Sequence, residues 1–225
     1  MSSAKFRGQR VYGPQAPNWW FAYGVRASVG RILLSLYRVR VIDAHKVPSG
    51  GAILAGNHVS YLDPMLLWCC APRHTHFVAK AELWDTSFLG WLLDHFWAFP
   101  VRRGTADREM ISTATALLGD GELVGMFPEG TRKRGSETEE LGEAQGGVSF
   151  IALRAGVPVV PVGFVGTDKA LPAGAKLPRF PRVTIKFGDP VDPASFEGGR
   201  KERMEALTAE LMTRISATRD QAKEA

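Results

Sequence analysis

The chain has 225 residues, 45% of them hydrophobic, and a net charge of +5, which suits one sizeable domain with a continuous core better than two small ones. The opening "MSSAKFRGQR" lacks the apolar core and cleavage site of a secretory signal, and no stretch has the roughly 18 uncharged apolar residues of a membrane span. Residues 1–46 hold eight Lys or Arg against Asp43 alone, a local +7, while the remainder holds 20 basic and 22 acidic residues, so the basicity belongs to the N-terminal segment.

The first element in chain order is "NWWFAYGVRASVGRILLSLYRVRV", residues 18–41. As a helix it places Gly24, Ser28, Arg31, Ser35 and Arg38 on one stripe and Trp20, Ala27 and Leu34 among apolar neighbours, with Trp19 and Trp20 at the leading end. Such an amphipathic helix either docks on the core of the body or lies in a bilayer interface, and its paired tryptophans and flanking arginines favour the interface. The expected organisation is therefore a membrane-associating segment over residues 1–40 and a catalytic domain over 41–225, peripheral and monotopic on the cytoplasmic face of the cell membrane.

Short strand patterns follow: "VRVI" (39–42), "AILAG" (52–56), "HFVAK" (76–80), "FPV" (99–101), "LVGMF" (123–127), "VPVVPVGF" (157–164) and "VTIKFG" (183–188). Helical patterns fill the gaps at 64–71, 83–96, 106–119 and 147–156, and an amphipathic helix from about 199 to 219 closes the chain. Strands alternating with helices predict an α/β fold with a mostly parallel central sheet flanked by helices. Cys69 and Cys70 are adjacent and cannot staple distant segments, so they read as packing thiols of a protein in a reducing compartment.

Several chemistries find no support. "GVSFI" around Ser149 lacks the closing glycine of a nucleophile elbow, and "GDGELVG" has the wrong spacing for a dinucleotide fingerprint. His74 and His76 alternate on an expected strand edge without a third ligand, and read as surface histidines rather than a metal site. The basic residues sit on a tryptophan-rich amphipathic segment rather than a recognition module, which argues against nucleic acid.

"AGNHVSYLDP", residues 55–64, runs from a strand into a turn and carries His58 and Asp63. They can be a general base with its orienting carboxylate, or a strand-closing histidine followed by an Asp63–Pro64 helix start. "FPEGTR", residues 127–132, ends another strand, and "FPVRRG" brings Arg102 and Arg103 to the end of a third. Ligands in open α/β sheets bind beyond the carboxyl ends of strands, where these residues collect a base and several cations.

In four blocks across residues 40–190 the sequence resembles the glycerolipid acyltransferase family that includes bacterial 1-acyl-glycerol-3-phosphate acyltransferases: "NHVSYLD", "FVAKAEL" with "FPVRRG", "FPEGTR" and "VPVVPV". The resemblance implies His58 and Asp63 as catalytic residues, and Arg103, Glu129, Gly130, Thr131 and Arg132 as substrate-binding residues. It implies transfer of a fatty acyl group from an acyl thioester, acyl-CoA or acyl-carrier protein, to the free hydroxyl of lysophosphatidate. No cofactor or metal is expected beyond that co-substrate, and the expected partners are a lysophospholipid acceptor and the membrane surface. Other acceptors, such as glycerol 3-phosphate, another lysophospholipid or a glycolipid, and a non-catalytic lipid- or carrier-binding module are the alternatives. Two positions depart from the family pattern: Gln145 and Gly146 stand where many members carry a basic pair, and Ser87 stands where proline is common.

Overall fold

The computed structural model describes residues 19–96, 98–102, 107–128, 146–170 and 179–225. Seven strands form one sheet: β1 (Arg40–Ile42), β2 (Ala52–Gly56), β3 (Thr75–Lys80), β4 (Phe99–Val101), β5 (Leu123–Met126), β6 (Val159–Val165) and β7 (Thr184–Phe187), in the order β1-β7-β6-β2-β5-β3-β4. The β6–β7 pair is antiparallel and the other pairs are parallel, as the alternating pattern predicts. The helices are α1 (Trp19–Val25), α2 (Arg31–Leu36), α3 (Leu62–Cys70), α4 (Ser87–His95), α5 (Arg108–Gly119), α6 (Gly147–Ala155) and α7 (Arg200–Glu224).

Side-chain alternation on β2 shows why this strand is central. Ala52 and Leu54 belong to one core cluster, Ile53 and Ala55 to the other, and all four are fully buried. A strand with both faces covered has no polar side to present, which accounts for its unbroken apolar sequence. The first cluster takes Leu66, Leu67 and Trp68 from α3 and Ala22 from α1; the second takes Leu117 and Leu118 from α5, Ile151 from α6 and Leu207, Leu211 and Ile215 from α7. Helix α5 starts where the Asp107 carboxylate accepts the Met110 N–H at 3.1 Å, and α6 ends at Gly156 in the left-handed region.

The path of the chain at β2 fixes where a ligand can bind. After β2 the chain enters α3, on the first face; after the adjacent β5 it next enters, among the described elements, α6 on the second face, before returning as β6 on the far side of β2. Connections that leave neighbouring strands in opposite directions open a crevice beyond their carboxyl ends.

The N-terminal helix settles on the body through one face. Helices α1 and α2 are joined by a π-helical segment, Arg26–Gly30, with the junction residues still helical, so Trp19–Leu36 forms one continuous rod. Ala22, Gly30 and Tyr37 are buried, the predicted stripe of Gly24, Ser28, Arg31, Ser35 and Arg38 is exposed, and Gly30 lies so close to α3 that a Cβ there would stand 3.2 Å from Cys69 Sγ. An Arg26 guanidinium N–H donates to Ala71 O at the end of α3. Trp20 and Ile32, each 64% exposed, remain outside this contact. Among the described residues no helix is long and apolar enough to cross a membrane.

Other boundaries moved for identifiable reasons. The expected helix over 83–96 divides into a 3-10 turn, Ala81–Asp85, and α4, because Thr86 between them is extended. The closing helix continues to Glu224, since Thr218 and Ala222 prolong the buried stripe of Leu207, Leu211 and Ile215 with small side chains that carry little hydropathic signal. Ser87 is the first residue of α4, a position that proline tolerates as well, so the departure from the family pattern leaves the helix start intact. Burial pushes the Cys69 thiol up to about 11 and the Cys70 thiol up to about 12, as expected for packing cysteines.

The surface reading of His74 and His76 is wrong. Strand β3 lies between β4 and β5 rather than at an edge, and the two imidazoles are 2% and 0% exposed. His74 packs edge-on against Trp68 at 5.8 Å and lies 5.9 Å from the Tyr23 ring, while His76 Nε2 is 3.7 Å from Glu122 Oε2. Among the described residues no group of three His, Cys, Asp or Glu side chains could hold a metal ion.

Burial, aided by His76 and Arg26, pushes His74 down to about 2, far below the ~6.5 of an unfolded chain. Between those values the unfolded chain binds more protons than the folded one. The stability from a neutral His74 is therefore complete above about pH 6.5 and drains away as pH falls, at up to about 1.4 kcal/mol per pH unit. Urea unfolding between pH 7 and pH 4 should show this slope, and His74→Phe, which keeps the ring packing, should flatten it.

Candidate active site

The loop after β2 is built around one carboxylate. Asp63 is fully buried, and its Oδ2 accepts the Val59 N–H at 2.8 Å, the Ser60 N–H at 2.7 Å and a hydrogen bond with His58 Nδ1 at 2.9 Å. The expected Asp63–Pro64 helix start is displaced: α3 begins at Leu62, with Tyr61 at the cap, and Asp63 sits in the first turn. Its side chain reaches back into the loop instead of capping forward, and the positive end of the helix favours its charge.

These bonds determine the His58 tautomer. Main-chain N–H groups can only donate, so the oxygen that takes two of them is an acceptor, and the ring nitrogen beside it is the third donor. The proton of a neutral His58 is thereby on Nδ1, and the lone pair is on Nε2 at the opposite edge of the ring. The side chain is 15% exposed, enough to meet a substrate while held against the protein.

Two further contacts, not anticipated from the sequence, hold the surroundings of His58: one anchors the residue before it and the other covers its ring. Asn57, 2% exposed, donates from Nδ2 to Phe164 O at 3.1 Å and accepts the Phe164 N–H on Oδ1 at 2.8 Å. Its side-chain amide thus supplies the rung that the main chain of β2 would offer if the strand ran further along β6. The preceding Gly56 permits this closeness, since a Cβ there would fall 2.6 Å from the Phe164 ring. On the other side Phe127, the first residue after β5, stacks on His58 with ring centroids 4.2 Å apart and planes 21° from parallel.

Strand register locates the remaining candidates. Ala55 is level with Met126, Thr75 with Leu123 and Lys80 with Val101, so Asn57, Pro128, Lys80 and Val101 share one row across four strands. The segments that follow this row carry the predicted substrate-binding residues. Arg103, Glu129, Gly130, Thr131 and Arg132 themselves lie outside the described residues, as does Gln145. Gly146 is described, just before α6, where a Cβ would meet Met204 at an ordinary 3.6 Å. The Asp107 carboxylate that caps α5 also accepts the Arg102 N–H at 2.8 Å, fastening Arg102 beside the helix start.

A mostly parallel sheet flanked by helices thus holds a hydrogen-bonded histidine–aspartate pair beyond its central strands, beside a crevice that two strand ends share. The acyltransferase family model matches residues 38–165, more than half of the chain, and the protein belongs to that family. It is similar to a 1-acyl-sn-glycerol-3-phosphate acyltransferase of Bacillus subtilis, 32% identical over 197 residues that cover 86% of this chain and 94% of the relative. It is also similar to a lyso-ornithine lipid O-acyltransferase of Pseudomonas aeruginosa, 31% identical over 191 residues covering 77% of this chain and 68% of the other. In fold it matches the crystal structure of the 1-acyl-sn-glycerophosphate (LPA) acyltransferase PlsC from Thermotoga maritima, with a TM-score of 0.67 and 23% identity over 92% of this chain and 86% of that one.

Removing the Asn57 side chain leaves a buried N–H and C=O of Phe164 without these partners, each worth about 1–3 kcal/mol. Asn57→Ala should lower the unfolding free energy measured in urea by at least about 1 kcal/mol.

Proposed function

We propose that the protein transfers a fatty acyl group from an acyl thioester, acyl-CoA or acyl-carrier protein, to the free hydroxyl of lysophosphatidate, giving phosphatidate for phospholipid synthesis. The observation that carries this reading is the His58–Asp63 pair, with its tautomer fixed, at the switch point of a fold and family that perform acyl transfer. His58 is the general base: Nε2 takes the hydroxyl proton as the acceptor oxygen bonds to the thioester carbonyl carbon, whose π electrons move onto its oxygen. When that oxyanion collapses, the C–S bond breaks, and the imidazolium returns the proton to the departing thiolate. Asp63 holds Nδ1–H and balances the charge that His58 carries between these two transfers.

Arg103 and Arg132 are assigned to the acceptor's phosphate, for which guanidinium is suited, and the Glu129–Gly130–Thr131 turn to the walls of the acceptor pocket. The similarity to a lyso-ornithine lipid acyltransferase supports a second reading, the same chemistry on a phosphate-free lysolipid. Thiol release with lysophosphatidate, glycerol 3-phosphate and lyso-ornithine lipid distinguishes these acceptors. Lysophosphatidate should react fastest, and His58→Ala should lower turnover by roughly 10²–10⁴-fold while the protein stays folded. A folded His58→Ala variant with near-parental turnover would end the assignment of the base.

Attachment to the cytoplasmic face of the membrane is assigned to residues 1–40 and the surface they adjoin. Trp20 and Ile32 are the most exposed of the apolar side chains described on the N-terminal rod, with Val29 and Leu36 also exposed, and Phe21 beside Trp20 meets Trp91 of α4 at 5.9 Å, next to Phe88, which is 72% exposed. The basic residues of the segment add about 1 kcal/mol each where they reach an anionic leaflet. Because Ala22, Gly30 and Tyr37 are part of the core, deleting the segment would damage the fold, and exposed side chains make the better test. Trp20→Ser with Ile32→Asn should reduce co-sedimentation with phosphatidylglycerol vesicles at unchanged thermal stability, and more markedly at high salt, where only apolar burial remains.

A further inference from the structure

His58 is held from two directions that differ in chemistry. Asp63 meets it at an edge through Nδ1, whereas Phe127 covers a face of the ring at a centroid distance of 4.2 Å. Phe127 is itself half-buried and lies against Phe164, centroids 6.2 Å apart, and Phe164 is tied through its main chain to Asn57, the residue before His58. The contacts close a loop across β2, β5 and β6, so the stacking partner moves with the base. An aliphatic side chain at position 127 would fill comparable space. A benzene ring adds a negative π face, which attracts a cation stacked above it and does far less for a neutral ring.

Resting on the assignment of His58 as the base, we propose that Phe127 is a positioning residue for the reaction, one that orients the imidazole and stabilises it selectively in its protonated form. In acyl transfer His58 is charged only between accepting the acceptor's proton and delivering it to the thiolate. A contact that strengthens with that charge acts on the transition state more than on bound substrates, and so belongs to kcat rather than to KM. Asp63 and Phe127 then divide the task, the carboxylate fixing which nitrogen is basic and the aromatic face favouring the proton's arrival there.

The test replaces Phe127 with mono-, di- and trifluorinated phenylalanine, which drain the π face while nearly preserving shape, alongside Phe127→Leu and Phe127→Tyr. The probes are an acyl-CoA and lysophosphatidate, with thiol release as readout and thermal unfolding as a check on the fold. Phe127→Leu should lower kcat by about 2- to 30-fold with acceptor KM nearly constant, and Phe127→Tyr, which keeps the ring, should recover most of that loss. Log kcat should fall stepwise along the fluorinated series, and the NMR titration midpoint of the His58 ring should move to lower pH in the same order. Equal kcat and equal midpoints across the series would overturn the proposal, leaving Phe127 as packing. His58→Ala, measured in parallel, separates the two failures: retained turnover there removes the base itself, whereas lost turnover with a flat series removes only the role of Phe127.

Discussion

The structure turns on the Asp63 carboxylate. One of its oxygens gathers two main-chain N–H groups and an imidazole, and does so with no exposure to water. A buried charge of this kind is sustained only by donors that compensate its lost hydration, and here the donors are the loop it must shape and the imidazole it must orient. The folding requirement and the chemical requirement are therefore one requirement. A neutral amide in its place would still offer one acceptor oxygen to the loop, but the imidazole would lose its counter-charge and the loop N–H groups the stronger, charge-assisted bonds.

Around that point the sheet supplies direction. Strand β2 is buried on both faces and ends beside β5, and the elements that follow leave toward opposite layers. The crevice is thus a by-product of connectivity rather than of any special packing. What distinguishes it is a short set of side chains at the strand ends, of which Asn57 ties the residue before His58 to β6 and Phe127 stacks on the His58 ring. Neither touches Asp63 in the contacts described; Phe127 lies on the ring itself, while Asn57 anchors the main chain just before it.

Much of this was legible in the sequence because it is local. The five-residue spacing of His58 and Asp63 spans one turn and the start of a helix, and the strand patterns of β2, β4 and β6 are short apolar runs that little else could accommodate. What was not legible depends on register between distant strands. Asn57 acts as a surrogate peptide group only because β6 outruns β2, and Phe127, read as the end of a strand, lies just past it, over a ring contributed from 69 positions earlier in the chain. His74 and His76 were misplaced for the same reason, since an alternating polar pattern on β3 looks like an edge until β4 is known to cover it. The N-terminal rod leaves the predicted stripe exposed, but its inward face uses Ala22 and Gly30, residues whose value is their smallness rather than their hydropathy.

Helix α3 links the two ends of this account. Its first turn contains Asp63, and Ala71 just beyond its last turn receives the Arg26 guanidinium from the N-terminal rod. Both signs suit a helix dipole, an anion at the start and a cation at the finish. Nine residues of helix make a stiff strut about 13 Å long, so the rod grips one end of a lever whose other end carries the Asp63 carboxylate. If the rod tilts to follow a curved or crowded bilayer, α3 must tilt with it or give up the Arg26 contact, and the three bonds at Asp63 set how far it can go. The surface proposed to meet lipid and the carboxylate bonded to His58 are thereby mechanical neighbours, though 37 positions separate Arg26 from Asp63 in the chain.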